Sequence, residues 1–219
     1  LRSVRSVCAL VGANLLADIY AAGSELDALR DLVELRTAAI LAPAGGGKSE
    51  LSLRLTCPTP DLLGGVILFG KDLHAGQNLD HLVRSFKIGG RAAPIFEQFI
   101  EAIDAAGQRA GRRLPVVIDG LNEAEDPRNW KEPLFRADEL LKRFPHVLLI
   151  VTLRDQFAGD CLPEGMPTFK MNGFEDNPRA AIDKYFEHYK IDATDEELPL
   201  EFLQHPLTLR IYCEVANQE

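Results

Sequence analysis

Long apolar runs are missing from these 219 residues. No stretch approaches the ~20 residues that would cross a bilayer as a helix, and no secretory leader is apparent. Cysteine is sparse: Cys8, Cys57, Cys161 and Cys213 are scattered, without the paired spacing of a metal site. Reduced, partly buried thiols in a cytoplasmic protein are the expectation. The histidines His74, His81, His146, His188 and His205 lack ligand spacing as well and read as surface or packing residues. Positive charge is in deficit, with 24 Lys and Arg against 33 Asp and Glu and a net charge of −9. That balance argues against a nonspecific nucleic-acid surface, and no direct nucleic-acid binding is expected. Internal repeats and low-complexity stretches are also absent. What remains is ordinary for a globular chain, 46% hydrophobic and 26% charged, enough for one α/β domain with a small appendage. Beginning at Leu1 and ending in Ala216-Asn217-Gln218-Glu219, the sequence reads as a piece of something longer.

Against that plain background one segment stands out, Ala42-Pro43-Ala44-Gly45-Gly46-Gly47-Lys48-Ser49. It follows an apolar run, Ala38 to Leu41, that reads as a buried strand, and it leads through Glu50 into Leu55, which reads as a helix. Strand, glycine loop, Lys-Ser and helix together form the P-loop arrangement. Glycines allow backbone N–H groups to surround phosphates closely. Lys48 reaches the β- and γ-phosphates, the Ser49 hydroxyl ligates Mg²⁺, and the helix presents its positive end to the anion. Residues 44–50 therefore form the expected nucleotide-binding set. Ala42 stands where the motif usually begins with Gly, a position at the loop's entry rather than in its cradle.

The rest of the chain alternates strands and helices. Strands are expected at 65–69, 115–119, 147–152 and 168–171, with helices at 93–103 and 135–144. Uniformly apolar strands alternating with helices predict a parallel sheet covered on both faces. Helical spacing over 1–36 predicts a lead-in split near Gly23-Ser24. Beyond Asn177 the pattern is helical, with Asp192 to Glu197 as a solvated helix start. The expected organisation is a helical lead-in at 1–36, a nucleotide-binding domain at 37–176 and the start of a helical subdomain at 177–219. Trp130, the only tryptophan, is expected to pack its loop down.

Asp119 closes an apolar strand, so its carboxylate emerges at the sheet edge where open α/β folds bind ligands. There it can hold Mg²⁺ opposite Ser49. Glu123 follows, a carboxylate able to polarise an attacking water, or else a solvated loop acid beside Glu125 and Asp126. Arg154 comes just after the 147–152 strand, on the same edge, and can contact a γ-phosphate or pair with neighbouring Asp155. No guanine-reading Asn-Lys-x-Asp pattern occurs, which favours ATP over GTP, and no transporter-ATPase signature is present.

These residues resemble the NACHT branch of the STAND ATPases. The resemblance rests on Ala44 to Ser49, Val117 to Glu123 with Gly120 after the Walker-B acid, and Val151 to Arg154. Asn172-Gly173-Phe174-Glu175 and His205-Pro206-Leu207 add to it, and together they cover most of the chain from about residue 36 onward. It implies a P-loop nucleotide switch that binds ATP or ADP with Mg²⁺ and hydrolyses it slowly. Glu123 and Asp119 would be catalytic, Arg154 a sensor, and Pro206 would pack near the adenine. It also implies effector and sensor domains in a longer parent, a homo-oligomer on activation, and a role in immunity, cell death or antiviral defence. Asn122 departs from the family by replacing the first acid of a pair. Two other readings compete: a motor ATPase of the AAA+ type, acting on nucleic acid or protein, and a module that binds nucleotide without turning it over.

Overall fold

The structure, a computed structural model, describes residues 34–59, 63–84, 86–88, 90–92, 95–191 and 199–217. The expected lead-in helices, apart from residues 34–36, and the 192–197 helix start lie outside these residues.

Five parallel strands form the central sheet: β1 (Thr37–Leu41), β2 (Val66–Phe69), β5 (Leu114–Asp119), β6 (Val147–Leu153) and β7 (Thr168–Lys170). Their spatial order is β2-β5-β6-β1-β7. A two-residue hairpin, β3 (Lys87–Ile88) and β4 (Arg91–Ala92), stands apart from the sheet. The apolar runs form strands because both faces are covered. Along β6 alternate residues Val147, Leu149, Val151 and Leu153 enter one core, while Leu148 and Ile150 enter the other. The larger core receives α2 (Leu79–Val83), α3 (Phe96–Ala110), α4 (Lys131–Leu141) and α5 (Ala158–Cys161). The smaller lies under α1 (Lys48–Thr56), which contributes Leu55. Each fully buried Leu or Ile contributes about 1.5–3 kcal/mol, so this two-sided burial outweighs any local propensity.

Several helix ends differ from the sequence reading for local reasons. Helix α4 begins at Lys131 rather than 135, because Pro133 falls in the first turn, where a missing N–H costs nothing. It ends at Leu141, before 144. Helix α3 runs on to Ala110 and stops at Gly111, whose φ of 64° closes the helix in the left-handed region. Asp80 accepts a hydrogen bond from Phe96 N–H at 2.7 Å and so caps α3 from α2. Trp130 is fully buried, and its indole N–H donates to Leu121 O at 2.9 Å, which ties the 127–130 turn to the end of β5.

After the sheet come α6 (Pro178–Tyr189), α7 (Leu200–Leu203) and α8 (Pro206–Ala216). Asn177 caps α6 by accepting from Ala180 N–H, and Pro178 and Pro206 each occupy the first turn of their helix. These helices close their own small core from Ile182, Phe186, Leu203, Leu209 and Cys213. Sheet order, glycine loop and flanking helices together make an α/β P-loop nucleoside-triphosphatase fold with a helical appendage. Among the described residues no helix is long and apolar enough to cross a membrane.

Candidate nucleotide site

The glycine loop joins β1 to α1 at the carboxyl end of the sheet. Gly45 and Gly47 hold φ of 72° and 89°, the left-handed region open to glycine. Gly47 is also the residue before α1, and no side chain caps that helix. The first N–H groups of α1 therefore face the loop, free to meet an anion. Lys48 folds back and donates to Ala42 O at 3.0 Å and Pro43 O at 2.7 Å. Burial, reinforced by the positive charge of Arg154, lowers the Lys48 pKa from its ordinary 10.5, while Asp119, Asp155 and Glu123 pull the other way. One lysine thus feels every charged residue singled out at this edge.

Because β6 lies between β1 and β5, Thr152 reaches Asp119 from the neighbouring strand. Asp119 is only 7% exposed and accepts three hydroxyl hydrogen bonds. Ser49 Oγ donates to Oδ2 at 2.7 Å, whereas Ser52 Oγ at 2.8 Å and Thr152 Oγ1 at 2.6 Å donate to Oδ1. Thr152 in turn accepts Gly120 N–H at 2.9 Å. A Mg²⁺ ion with ligands at about 2.0–2.1 Å spaces adjacent octahedral oxygens by about 2.9 Å. Ser49 and Asp119 already hold their oxygens at nearly that separation, so the donor set fits the ion. No cluster of three or more His, Cys, Asp or Glu exists among the described residues, and none is needed where phosphates and water complete the shell.

Gly120 turns the chain after Asp119 with φ 73° and ψ 56°, starting a short 3₁₀ turn over Leu121–Glu123. A Cβ there would stand 2.9 Å from Glu123 Cδ and 3.1–3.2 Å from its carboxylate oxygens. The small residue after Asp119 therefore has two physical reasons: a positive φ and room for the Glu123 carboxylate. Asn122 Oδ1 accepts Arg154 N–H at 3.0 Å. Arg154 is exposed, and no ion pair joins it to Asp155 among the described residues.

The helical subdomain closes the other side. A Cβ on Gly45 would lie 2.8 Å from Leu207 Cβ and 3.1 Å from His205 Cε1. His205 Nε2 meets Ala44 O at 3.1 Å, which makes Nε2 the donor. Gly173, φ 71°, faces Pro206, and Phe174 N–H donates to Gln204 O at 2.9 Å, so the Asn-Gly-Phe and His-Pro-Leu stretches pack on each other. Between the two halves opens a cleft of about 680 Å³. Ala44, Gly45, Gly46, Gly47, Lys48, Ser49, Glu50, Glu123, Arg154 and Pro206 all line it, and Asp119 joins them through Ser49. A groove of about 730 Å³ between α2, α3 and α4 has none of this convergence. The sequence reading gave Ser52 and Thr152 no part in the site. The usable signals were a Ser three residues after Ser49 on the same helix face and a Thr inside an otherwise apolar strand. His205, expected to be a surface or packing residue, packs on the glycine loop through Ala44.

No protein-family model matches the chain, and no curated protein is significantly similar to it. Among solved structures it is similar to a signal transduction ATPase with numerous domains (STAND) protein carrying a tetratricopeptide repeat sensor, from Pyrococcus horikoshii. The identity is 18% and the TM-score 0.49, over 87% of this chain and 29% of that one. The chain thus spans less than a third of that protein's length. An identity this low leaves the chemistry to be argued from the residues themselves.

Proposed function

We propose that this chain is the nucleotide-binding domain of a STAND-type switch of the NACHT branch, binding ATP or ADP with Mg²⁺ and hydrolysing ATP slowly. The observation that supports it best is convergence: the glycine loop, Lys48, Ser49, Asp119, Glu123 and Arg154 meet at one cleft mouth. On binding, Lys48 exchanges its two loop carbonyls for the β- and γ-phosphates. The N–H groups at the start of α1 take the same anion. Ser49 and Asp119 would hold Mg²⁺, which would supply positive charge against the phosphates. Glu123 accepts the proton of a water whose oxygen forms a bond to the γ-phosphorus while the bond to the β-bridging oxygen breaks. Arg154 stabilises the charge on the transferred group. Because Asn122 leaves Glu123 as the only acid of the expected pair, slow turnover is expected. Pro206 places the helical subdomain against the adenine side.

Effector and sensor domains of a longer parent, oligomerisation on activation, a cytoplasmic setting and a role in immunity, cell death or antiviral defence complete the proposal. Titration calorimetry with a nonhydrolysable ATP analogue and Mg²⁺ tests its base. Binding that is lost in Lys48→Ala supports the site, and unchanged affinity refutes it. Turnover stimulated by DNA would move the AAA+ motor to first place, and tight binding with no turnover at all would favour the binding module.

A further inference from the structure

The peptide unit between Leu153 and Arg154 is held from both sides. Its carbonyl, Leu153 O, accepts Ala42 N–H at 3.2 Å, at the entry of the glycine loop. Its N–H donates to Asn122 Oδ1 at 3.0 Å, in the turn that carries Glu123. An amide N–H is an obligate donor, so the Asn122 atom facing it is the oxygen. The same turn is pinned by Gly120 N–H to Thr152, two residues before Arg154. Three elements far apart in sequence therefore share one peptide plane: the phosphate loop, the end of β6 and the Glu123 turn.

We propose that Asn122 is a positioning residue for hydrolysis, an inference that rests on the nucleotide-site reading above. By accepting the Arg154 N–H, it ties Arg154 and the Glu123 turn into one body with the entry of the glycine loop. What position 122 must supply is an acceptor and not a charge, so replacing an acid by Asn keeps the tie and removes only a second carboxylate. Removing the acceptor frees the Glu123 turn from the end of β6 while leaving Lys48, the glycines and Ser49 in place. The loss should then fall on hydrolysis and on recognition of the γ-phosphate, not on the α- and β-phosphates that ADP shares.

The test compares wild type, Asn122→Ala, Asn122→Asp and Asn122→Leu, the last keeping bulk without an acceptor should the alanine variant melt early. Misplacing a catalytic group by about 1 Å can cost up to 10²-fold, so single-turnover hydrolysis in Asn122→Ala and Asn122→Leu should slow about tenfold. ADP affinity should stay within about twofold of wild type, because the phosphate cradle is untouched. Asn122→Asp should recover to within about threefold at neutral pH, since its ionised carboxylate still accepts. A wild-type rate in Asn122→Ala overturns the inference. So does an Asn122→Asp as slow as the alanine variant, or an equal loss of ATP and ADP affinity, which would mean general loosening. A wild-type chain that binds no nucleotide overturns the site reading itself. Binding and turnover in wild type, with Asn122→Ala unchanged, overturn this inference alone.

Discussion

Gly120→Ala separates folding from chemistry at the centre of the site. The substitution does two things whose sizes can be worked out. A residue with a Cβ held at φ 73° and ψ 56° carries a left-handed backbone cost of about 1–2 kcal/mol. For a domain of this size that lowers the melting temperature by roughly 2–4 °C per kcal/mol, so the protein remains folded. The new methyl also stands 2.9 Å from Glu123 Cδ. An unstrained carbon–carbon contact needs about 3.5–4.0 Å, so the carboxyl must retreat by roughly 0.5–1 Å. Glu123 is exposed and flexible and can give way at little cost in stability, yet a general base depends on its placement. A displacement of that order lowers hydrolysis by about ten- to a hundredfold.

Three measurements decide the matter: thermal melting, ADP titration and single-turnover phosphate release. The expected pattern is a melting point a few degrees lower, nearly unchanged ADP affinity and a large fall in rate. A double variant with Glu123→Gln should lose no more than Glu123→Gln alone, because both act through the same carboxylate. If Gly120→Ala melts early yet hydrolyses at the wild-type rate, Glu123 is not the base at this site, and Glu125 is the next acid to examine.

Other outcomes follow from the same geometry. Arg154→Ala should weaken ATP binding more than ADP binding, because only a γ-phosphate gains a charge-assisted contact at that edge; an equal loss in parallel titrations would make Arg154 structural. Burial and Arg154 lower the Lys48 pKa below 10.5, so between the folded and ordinary values the unfolded chain holds more protons. Stability should then rise with pH across that window while nucleotide affinity, which needs the ammonium, falls; melting and titration that move together would refute it. Of the three described cysteines, exposed Cys57 should alkylate first in the folded chain, because burial, then Asp160, pushes the Cys161 thiol up to about 11, and burial also raises Cys213. Mass spectrometry after brief iodoacetamide treatment checks this, and modification of Cys161 at the Cys57 rate would contradict the packing of α5.

How far the site was legible depends on how local each signal is. The glycine loop could be read because everything that defines it lies within a few residues: an apolar strand, glycines able to take φ of 72° and 89°, and Lys-Ser opening a helix. The sheet strands were legible for a related reason, since burial on both faces leaves unbroken apolar runs. Strand order was not, because nothing in β6 names β1 and β5 as its neighbours. That order is what brings Thr152 onto Asp119 across 33 residues of sequence, and Ser52 reaches it across 67. A hydroxyl inside an apolar segment has no periodic signature, so its partner emerges only once the strands are in register. The His205 contact with Ala44 spans 161 residues and links the glycine loop to helices that pack around a core of their own. Asn122 shows the limit most directly. From the sequence it reads as a missing acid, a loss of proton-accepting capacity. In the folded chain its oxygen faces a backbone N–H that any acceptor of similar reach could satisfy. Residue type alone could suggest which chemistry was lost at position 122; only the placement of Arg154 reveals which contact was kept.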